Sequence, residues 1–313
     1  MRVLKYSSEA IKEAASIIKE GGLVAFPTET VYGLGASALN PEAIARVFEV
    51  KRRPHFEPLI VHIADMMDLE RLCLRVDDRA KKLIKEFWPG PLTLVLPKSD
   101  ILPDIVTAGL RTVAIRMPSH PVALELIREA GVPVAAPSAN PSGYLSPTEA
   151  SHVMEQIGPE IDLIINGGKC PLGLESTVLD ISEEPTLLRA GAVPIERIKE
   201  VIGEVKISSP LKEKRRYSLR KPLKILKNGE AGSPPEGMKV GLLAFKPPAD
   251  STPFEMVEVL SLSGDLREAA ANLFSSLHRL DKAEIDLIYA EPIPETGLGR
   301  AIMERLRRAE DKK

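Results

Sequence analysis

The chain of 313 residues is poor in the devices that hold small or exported proteins together, and each shortage narrows what it can be. Its two cysteines, Cys73 and Cys170, stand in no Cys-x-x-Cys pair and in no Cys/His spacing suited to zinc. Neither a disulfide framework nor a structural zinc site is therefore supported, and buried thiols are expected. No apolar run approaches the roughly 20 residues that span a bilayer, so a membrane protein is not expected. The opening stretch MRVLKYSSEAIKEAA is acidic and amphipathic where a secretion signal needs an apolar segment, which makes the cytoplasm the expected location. Charge of either sign is nearly balanced, 42 basic against 44 acidic residues, so any contact with RNA is local and not spread over the whole surface. There is no G-x-x-x-x-G-K-[ST] phosphate loop, and Gly33-Leu34-Gly35 lacks the third glycine of a dinucleotide fingerprint, so a nucleotide site here is of another kind. Nor does the chain repeat itself, which excludes a solenoid.

What is present is an ordinary globular composition, 44% hydrophobic and 27% charged, in a chain long enough for two domains. In residues 1–203 short β-branched runs alternate with amphipathic segments, the pattern of an α/β domain. Strands are expected at 23–26, 59–64, 92–96, 112–116, 133–136, 161–165, 176–181 and 186–189. Helix starts are signalled by Ser8, by Asn40-Pro41 as N-cap and first helical residue, and by Ser146-Pro147-Thr148-Glu149 as a capping box. Because 176–181 and 186–189 have no helix between them, the sheet is expected to be mixed and not simply doubly wound. Residues 204–237 exchange apolar periodicity for Ser, Pro, Gly and basic residues and read as a linker. Residues 238–313 carry KVGLLAF, MVEVLSL and DLIYAE as strands, with helices over 265–280 and 299–309, a smaller Rossmann-like α/β domain.

Polar segments close several of these strands. PTETVYGLG, residues 27–35, places two hydroxyls, a carboxylate and two glycines in what reads as one turn, suited either to a small polar ligand or to a plain β-turn whose glycines supply positive φ. Lys51-Arg52-Arg53-Pro54 ends a helix; Lys51 and Arg53 either meet one anion or merely cap the helix C-terminus. His62 lies in an apolar strand, as a satisfied core group or as a ligand. Arg116 ends another apolar strand and is costly to bury without a carboxylate or phosphate partner, which a bound amino-acid carboxylate would supply. Ala136-Pro137-Ser138-Ala139-Asn140, Ser146, Glu175-Ser176-Thr177 and Arg189 add hydroxyls, an amide and a cation at further strand ends, and a helix start at Ser146 would suit phosphate.

Taken in order, PTETVYGLG, KRRP, PLIVH, WPGPLT, TVAIRMPSHP, APSANPSG, SPTEA, ESTVLD and LLRAG resemble the YrdC-type family of threonylcarbamoyl-AMP synthases over about residues 8–202. AAANLFSSLHRLD and GLGRAIMERLRRA resemble the carboxy-terminal domain of its two-domain members. The resemblance implies a YrdC-like twisted mixed sheet with helices around a concave polar cleft. It also implies a nucleotidyltransferase that converts L-threonine, bicarbonate or CO2, and ATP with Mg2+ into threonylcarbamoyl-AMP and pyrophosphate. A separate downstream transferase would then form N6-threonylcarbamoyladenosine in tRNA, so contact of this chain with tRNA is allowed but not required.

Carried over motif by motif, the resemblance gives L-threonine to Thr30, His62, Arg116, the backbone of Ala136, and Ser176. ATP falls to Lys51, Arg53, Glu57, Thr112, Ser138, Asn140, Ser146, Arg189 and Tyr217, with Lys51 and Arg53 the catalytic pair that stabilises phosphate charge. No dedicated protein metal site is expected, the ion being held by ATP and water. Two positions depart from the family's habit: Glu57 replaces an asparagine, and Arg216-Tyr217 replaces a His-Tyr pair in a linker expected to close over the nucleotide. A different reading, an RNA-binding module, would set Lys212, Lys214, Arg215, Arg216, Arg220 and Lys221 on phosphates. That reading expects binding that weakens steeply with salt, whereas the enzyme expects threonine-dependent consumption of ATP.

Overall fold

The computed structural model describes residues 2–54, 56–208, 217–227 and 234–310. The chain divides into two compact units, one of Met1–Ser142, Ser146–Pro171 and Glu175–Ser209, the other of Gly143–Leu145, Leu172–Leu174 and Pro210–Lys313.

The first unit holds strands β1 (Arg2–Lys5), β2 (Val24–Phe26), β3 (Gly33–Ser37), β4 (Ile60–His62), β5 (Leu92–Pro97), β6 (Thr112–Arg116), β7 (Val134–Ala135), β8 (Leu163–Asn166), β9 (Thr177–Asp180), β10 (Thr186–Arg189) and β11 (Lys206–Ile207). Its helices are α1 (Ser8–Lys19), α2 (Pro41–Lys51), α3 (Met66–Leu72), α4 (Asp78–Phe87), α5 (Asp104–Thr107), α6 (Pro121–Ala130), α7 (Ala150–Ile157) and α8 (Ile195–Ile202). The strands form one sheet in the order β1-β8-β2-β3-β7-β4-β6-β5-β9-β10-β11. It is mixed as expected: β4 runs parallel to β6, while β2 and β3, β5 and β6, and β9 and β10 are antiparallel.

Side chains alternate across a strand, and here the alternation splits the core between two covered faces. Leu23, Ala25, Ala135 and Ile164 join Ile44, Val47 and Phe48 of α2 and Leu83 of α4. Their neighbours Val24, Phe26, Val134 and Ile165 join Ile11, Ala14 and Ile18 of α1 and Leu126 and Ile127 of α6. Strands covered on both sides must be apolar at every position, which is why β2 is buried throughout.

Four sequence expectations change. Gly33 and Gly35 do not make a turn but lie in β3, paired with β2. A Cβ on Gly35 would stand 2.6 Å from Phe26 Cε1 and 3.0 Å from Val134 Cγ1, so close packing and not positive φ demands glycine there. The first helix is capped one residue earlier than read, Ser7 Oγ accepting from the Ala10 N–H at 3.2 Å. The capping box at Ser146 does not form: α7 begins at Ala150 after an N-cap, Glu149, whose side chain makes no capping bond. Ser146 Oγ instead donates to Glu175 Oε1 at 2.6 Å, which takes it away from the helix end. The segment 204–237 is not linker throughout, because β11 adds to β10 at one edge of the first sheet and β12 (Leu223–Ile225) adds to the second. Short, lysine-bearing edge strands look polar in sequence, since an edge must discourage further pairing.

The second unit holds β12, β13 (Val240–Ala244), β14 (Met256–Val259), α9 (Leu266–Lys282), β15 (Leu287–Ala290) and α10 (Leu298–Ala309). Its four strands are all parallel in the order β12-β15-β13-β14. Leu226, Val240, Leu242, Ala244 and Tyr289 make one apolar face of it. No helix among the described residues is long and apolar enough to cross a membrane.

Candidate functional site

Arg116 is 3% exposed and is held from three directions. Its Nε donates to Gly90 O at 3.1 Å, its Nη1 donates to Thr30 Oγ1 at 2.9 Å, and its Nη2 lies 2.6 Å from Glu29 Oε1. The sequence reading foresaw that a buried arginine needs a carboxylate partner, but it looked to a ligand; the chain supplies one itself in Glu29. The threonines form a directed chain. Thr28 Oγ1 donates to Val31 O at 2.7 Å, so in its 2.8 Å contact with Thr30 Oγ1 it accepts, and Thr30 in turn accepts from Arg116.

His62 and Arg116 are partners in register across the parallel pair β4 and β6, which sets their side chains next to each other on one face of the sheet. His62 is 3% exposed. Burial, with the Arg116 guanidinium adding to it, lowers its pKa to about 3, so the imidazole is neutral in ordinary solution. Neither its buried Nδ1 nor either oxygen of Glu29 has a hydrogen-bond partner. The Glu29–Arg116 contact is thus an ion pair by proximity, without the alignment of a hydrogen bond. Cys170 is fully buried and in the field of both Glu29 and Arg116; burial chiefly pushes its thiol up, and burial pushes Cys73 up to about 12, so both are inert thiols.

The second group is built on Lys51, at the C-terminal end of α2 and 1% exposed. Its ammonium donates to Ser138 O at 2.5 Å and to Asn140 O, while its own carbonyl accepts from the Ser142 N–H at 2.7 Å. Lys51 therefore fixes the backbone of the Ser138–Asn140 loop. The same loop is tied to PTETVYGLG, with Leu34 N–H donating to Pro137 O and Ala139 N–H to Tyr32 O, each at 2.8 Å. Ala136 gives its N–H to Ile60 O at 2.9 Å, so its carbonyl is the backbone group it can offer a ligand. Arg53 donates through Nη2 to Pro58 O at 3.0 Å and has Glu57 Oε2 at 3.4 Å from its Nε. The carboxylate that departs from the family's habit is thus set against a cation.

The third group joins β5, β9 and β10. Ser176 Oγ lies 2.7 Å from Thr93 Oγ1, and Arg189 donates to Ser176 O from Nε at 3.0 Å and from Nη2 at 2.8 Å, and to Ser176 Oγ at 3.0 Å. Gly90 and Pro91 connect this group to the first: Gly90 O accepts from Arg116, and Pro91 O accepts from the Thr177 N–H at 3.0 Å. Pro147 O accepts from Tyr32 N–H at 2.8 Å, which brings the neighbour of Ser146 to the same motif. Thr112 begins β6 and Arg116 ends it, on the same face and about 13 Å apart at about 3.3 Å per residue.

Two family models match the chain. One, described as "Telomere recombination" for the Sua5, YciO and YrdC proteins, covers residues 16–191; the other, "Threonylcarbamoyl-AMP synthase, C-terminal domain", covers residues 193–310. Threonylcarbamoyl-AMP synthase of Pyrococcus abyssi is 45% identical, over 96% of this chain and 93% of that protein. The enzyme of the same name from Bacillus subtilis is 43% identical, over 98% and 94%.

The chain belongs to the threonylcarbamoyl-AMP synthase family.

In three dimensions it is similar to Pyrococcus abyssi Sua5 crystallised with L-threonine, with a TM-score of 0.89 at 42% identity over 98% of this chain and 96% of that one. This threonylcarbamoyl-AMP synthase family member has two units, and the expected residues divide between them. Tyr217 lies in the second, where its N–H donates to Arg308 O at 2.9 Å and its ring meets Phe274 edge-on at 5.9 Å. Of the basic residues offered to RNA, Lys212, Lys214, Arg215 and Arg216 lie outside the described residues, and the backbone N–H groups of Arg220 and Lys221 donate to Asp281 Oδ1 at 2.6 and 3.2 Å. Glu29 is the residue the sequence reading missed. Its signal was the carboxylate in PTETVYGLG, flanked by a threonine on each side, in a chain with an arginine to be paired.

Proposed function

We propose that this chain makes threonylcarbamoyl-AMP from L-threonine, bicarbonate or CO2, and ATP, releasing pyrophosphate, and that it works in the cytoplasm upstream of a transferase that modifies tRNA. Membership of the family along nearly the whole chain supports the reaction. The observation that carries it to this molecule is the buried Arg116 joined to Thr30, a cation and hydroxyl set to hold an amino acid by its carboxylate.

The chemistry needs no nucleophile from the protein. Once the threonine ammonium has given up a proton to water, the free amine attacks CO2, a second N–H proton leaves to give the carbamate, and its oxygen attacks the α-phosphate of ATP as the bond to pyrophosphate breaks, so the enzyme's task is to position and to stabilise charge. Arg116, Thr30, the Ala136 carbonyl and Ser176 orient threonine. His62, neutral because its pKa is about 3, offers the substrate a nitrogen lone pair without adding a charge. Thr112, at the far end of β6, takes the nucleotide with Ser138, Asn140, Ser146 and Arg189; about 13 Å suits an extended adenylate lying between the two ends. Arg53 faces the phosphates. Lys51 acts through the Ser138–Asn140 backbone it holds. Mg2+ would arrive as part of the ATP substrate, held by ATP and water, and Glu57 is paired with Arg53.

Pyrophosphate release measured with each amino acid in turn, in the presence of bicarbonate, tests the reading. Release with L-threonine well above the others is expected. Equal release with all, or none with threonine, would overturn it.

A further inference from the structure

We propose that Glu29 receives the α-ammonium group of the amino-acid substrate, so that the Glu29–Arg116 pair recognises a zwitterion and not a carboxylate alone. The proposal rests on the assignment of threonine to Arg116 made above. Glu29 is 5% exposed, and its Oε1 lies 2.6 Å from Arg116 Nη2. Neither carboxylate oxygen accepts a hydrogen bond, and Arg116 Nη2 and His62 Nδ1, both buried, are likewise without one. A buried carboxylate ordinarily collects N–H or O–H donors, because its lone pairs lose water on burial and the loss is unfavourable when nothing replaces it. Three groups with unmet polar atoms beside one another mark a place built for a polar guest.

Charge balance says what kind of guest. The pair of Glu29 and Arg116 is neutral as it stands. A ligand that brings only a carboxylate to Arg116 would leave two negative groups sharing one cation in a place almost closed to water, which is unfavourable. A ligand that brings a carboxylate and an ammonium on the same carbon keeps the balance and gives Glu29 the donors it lacks. The two protein groups are in contact, and so are the two charges of an α-amino acid, so one molecule reaches both. Thr28, next in sequence, is occupied with Thr30 and Val31, which leaves the ammonium to Glu29.

The test is titration calorimetry of the whole chain with L-threonine, with ATP, and with 2,3-dihydroxybutanoate, which carries a hydroxyl in place of the ammonium. The unaltered protein should prefer threonine to this analogue by about tenfold or more. Glu29→Gln should weaken threonine about thirtyfold or more, leave ATP within about twofold, and bind the analogue as well as threonine. Glu29 acting merely as a structural counter-ion to Arg116 would instead weaken threonine and analogue alike, and that result overturns the proposal, as does unchanged threonine affinity. Should thermal melting show Glu29→Gln unfolded, Glu29→Asp keeps the charge at shorter reach: threonine weakened several-fold with the analogue still rejected supports the proposal, and unchanged threonine affinity refutes it. Unaltered protein that binds no threonine would overturn the threonine assignment and this one with it, whereas threonine binding indifferent to both substitutions overturns this one alone.

Discussion

Each unit buries an arginine, and the two are buried differently. Arg116, 3% exposed, is gripped by Gly90, Thr30 and Glu29, which lie 26 to 87 positions away in the chain. Arg305, 1% exposed, has partners on its own helix, Ala301 O at 3.4 Å and Glu304 Oε2 at 3.6 Å. Contacts within one helix pack a long stem and hold its head nearby. A buried charge that draws two distant loops together fixes those loops relative to one another, and polar atoms left unmet around it are an invitation to a ligand. The same contrast runs through the smaller groups. In the second unit Ser261 Oγ donates to Glu268 at 2.6 Å and Ser275 Oγ to Asn272 O at 3.0 Å, close neighbours in sequence. In the first, Ser146 reaches Glu175 and Thr93 reaches Ser176, 29 and 83 positions away.

The largest effect that would break this comparison is that of Arg116→Ala. Losing the guanidinium should cost about 2–5 kcal/mol of threonine affinity while ATP affinity changes little. Arg305→Met, which keeps the stem, should leave both affinities alone; threonine binding indifferent to Arg116 would abolish the distinction between the two arginines.

Next in size is a packing change. Gly35→Ala drives a methyl against Phe26 Cε1 at 2.6 Å and Val134 Cγ1 at 3.0 Å in a core covered on both faces, and should lower stability by about 1–3 kcal/mol in a denaturant titration. Gly241→Ala in the second sheet meets Ile285 Cδ1 at 2.6 Å and Leu280 Cδ2 at 2.8 Å, the far ends of flexible side chains, and should cost less. Equal losses would show that the first sheet is no more tightly determined than the second.

Lys51→Ala should reduce pyrophosphate release about tenfold or more, since the freed Ser138 and Asn140 carbonyls let their loop move. Lys51→Met should do no better, because the loop is held by the ammonium and not by the stem. Near-normal turnover in both would leave Lys51 as a charge at a helix end and nothing else.

A further effect is one of pH. Unfolded, His62 has the ordinary value of 6.5; folded, its pKa is about 3. Between those values the unfolded chain binds a proton that the folded chain does not, so this residue lowers stability as pH falls from about 6.5 toward about 3 and has no such effect above 6.5. The slope it contributes is at most about 1.4 kcal/mol per pH unit. His62→Gln should flatten that part of the stability curve; an unchanged curve would mean that the imidazole is protonated in the folded protein.

Much of this was legible before the fold was known, and the failures have physical reasons. β-Branched runs announced β2, β4, β5, β6, β9 and β10, most plainly β2, which is buried throughout and has no polar position to confuse the pattern. β3 was hidden by Gly33 and Gly35, which read as turn formers when the need was for backbone close to Phe26. β11 and β12 were hidden by the lysines of edge strands. Ser146 kept the sequence of a capping box but spent its hydroxyl on Glu175, 29 positions away, a partner that no local pattern reveals. Arg116 was found because burial of a cation is conspicuous in an apolar strand. Glu29 was not, because a carboxylate in a turn is unremarkable until the arginine opposite it is known.

The most direct test watches the two arginine side chains themselves while threonine is added to the intact protein. In proton–nitrogen spectra of arginine Nε–H groups, the account predicts that the Arg116 signal moves with threonine concentration and that the Arg305 signal stays where it is. Movement at Arg305, or threonine binding without movement at Arg116, would contradict it.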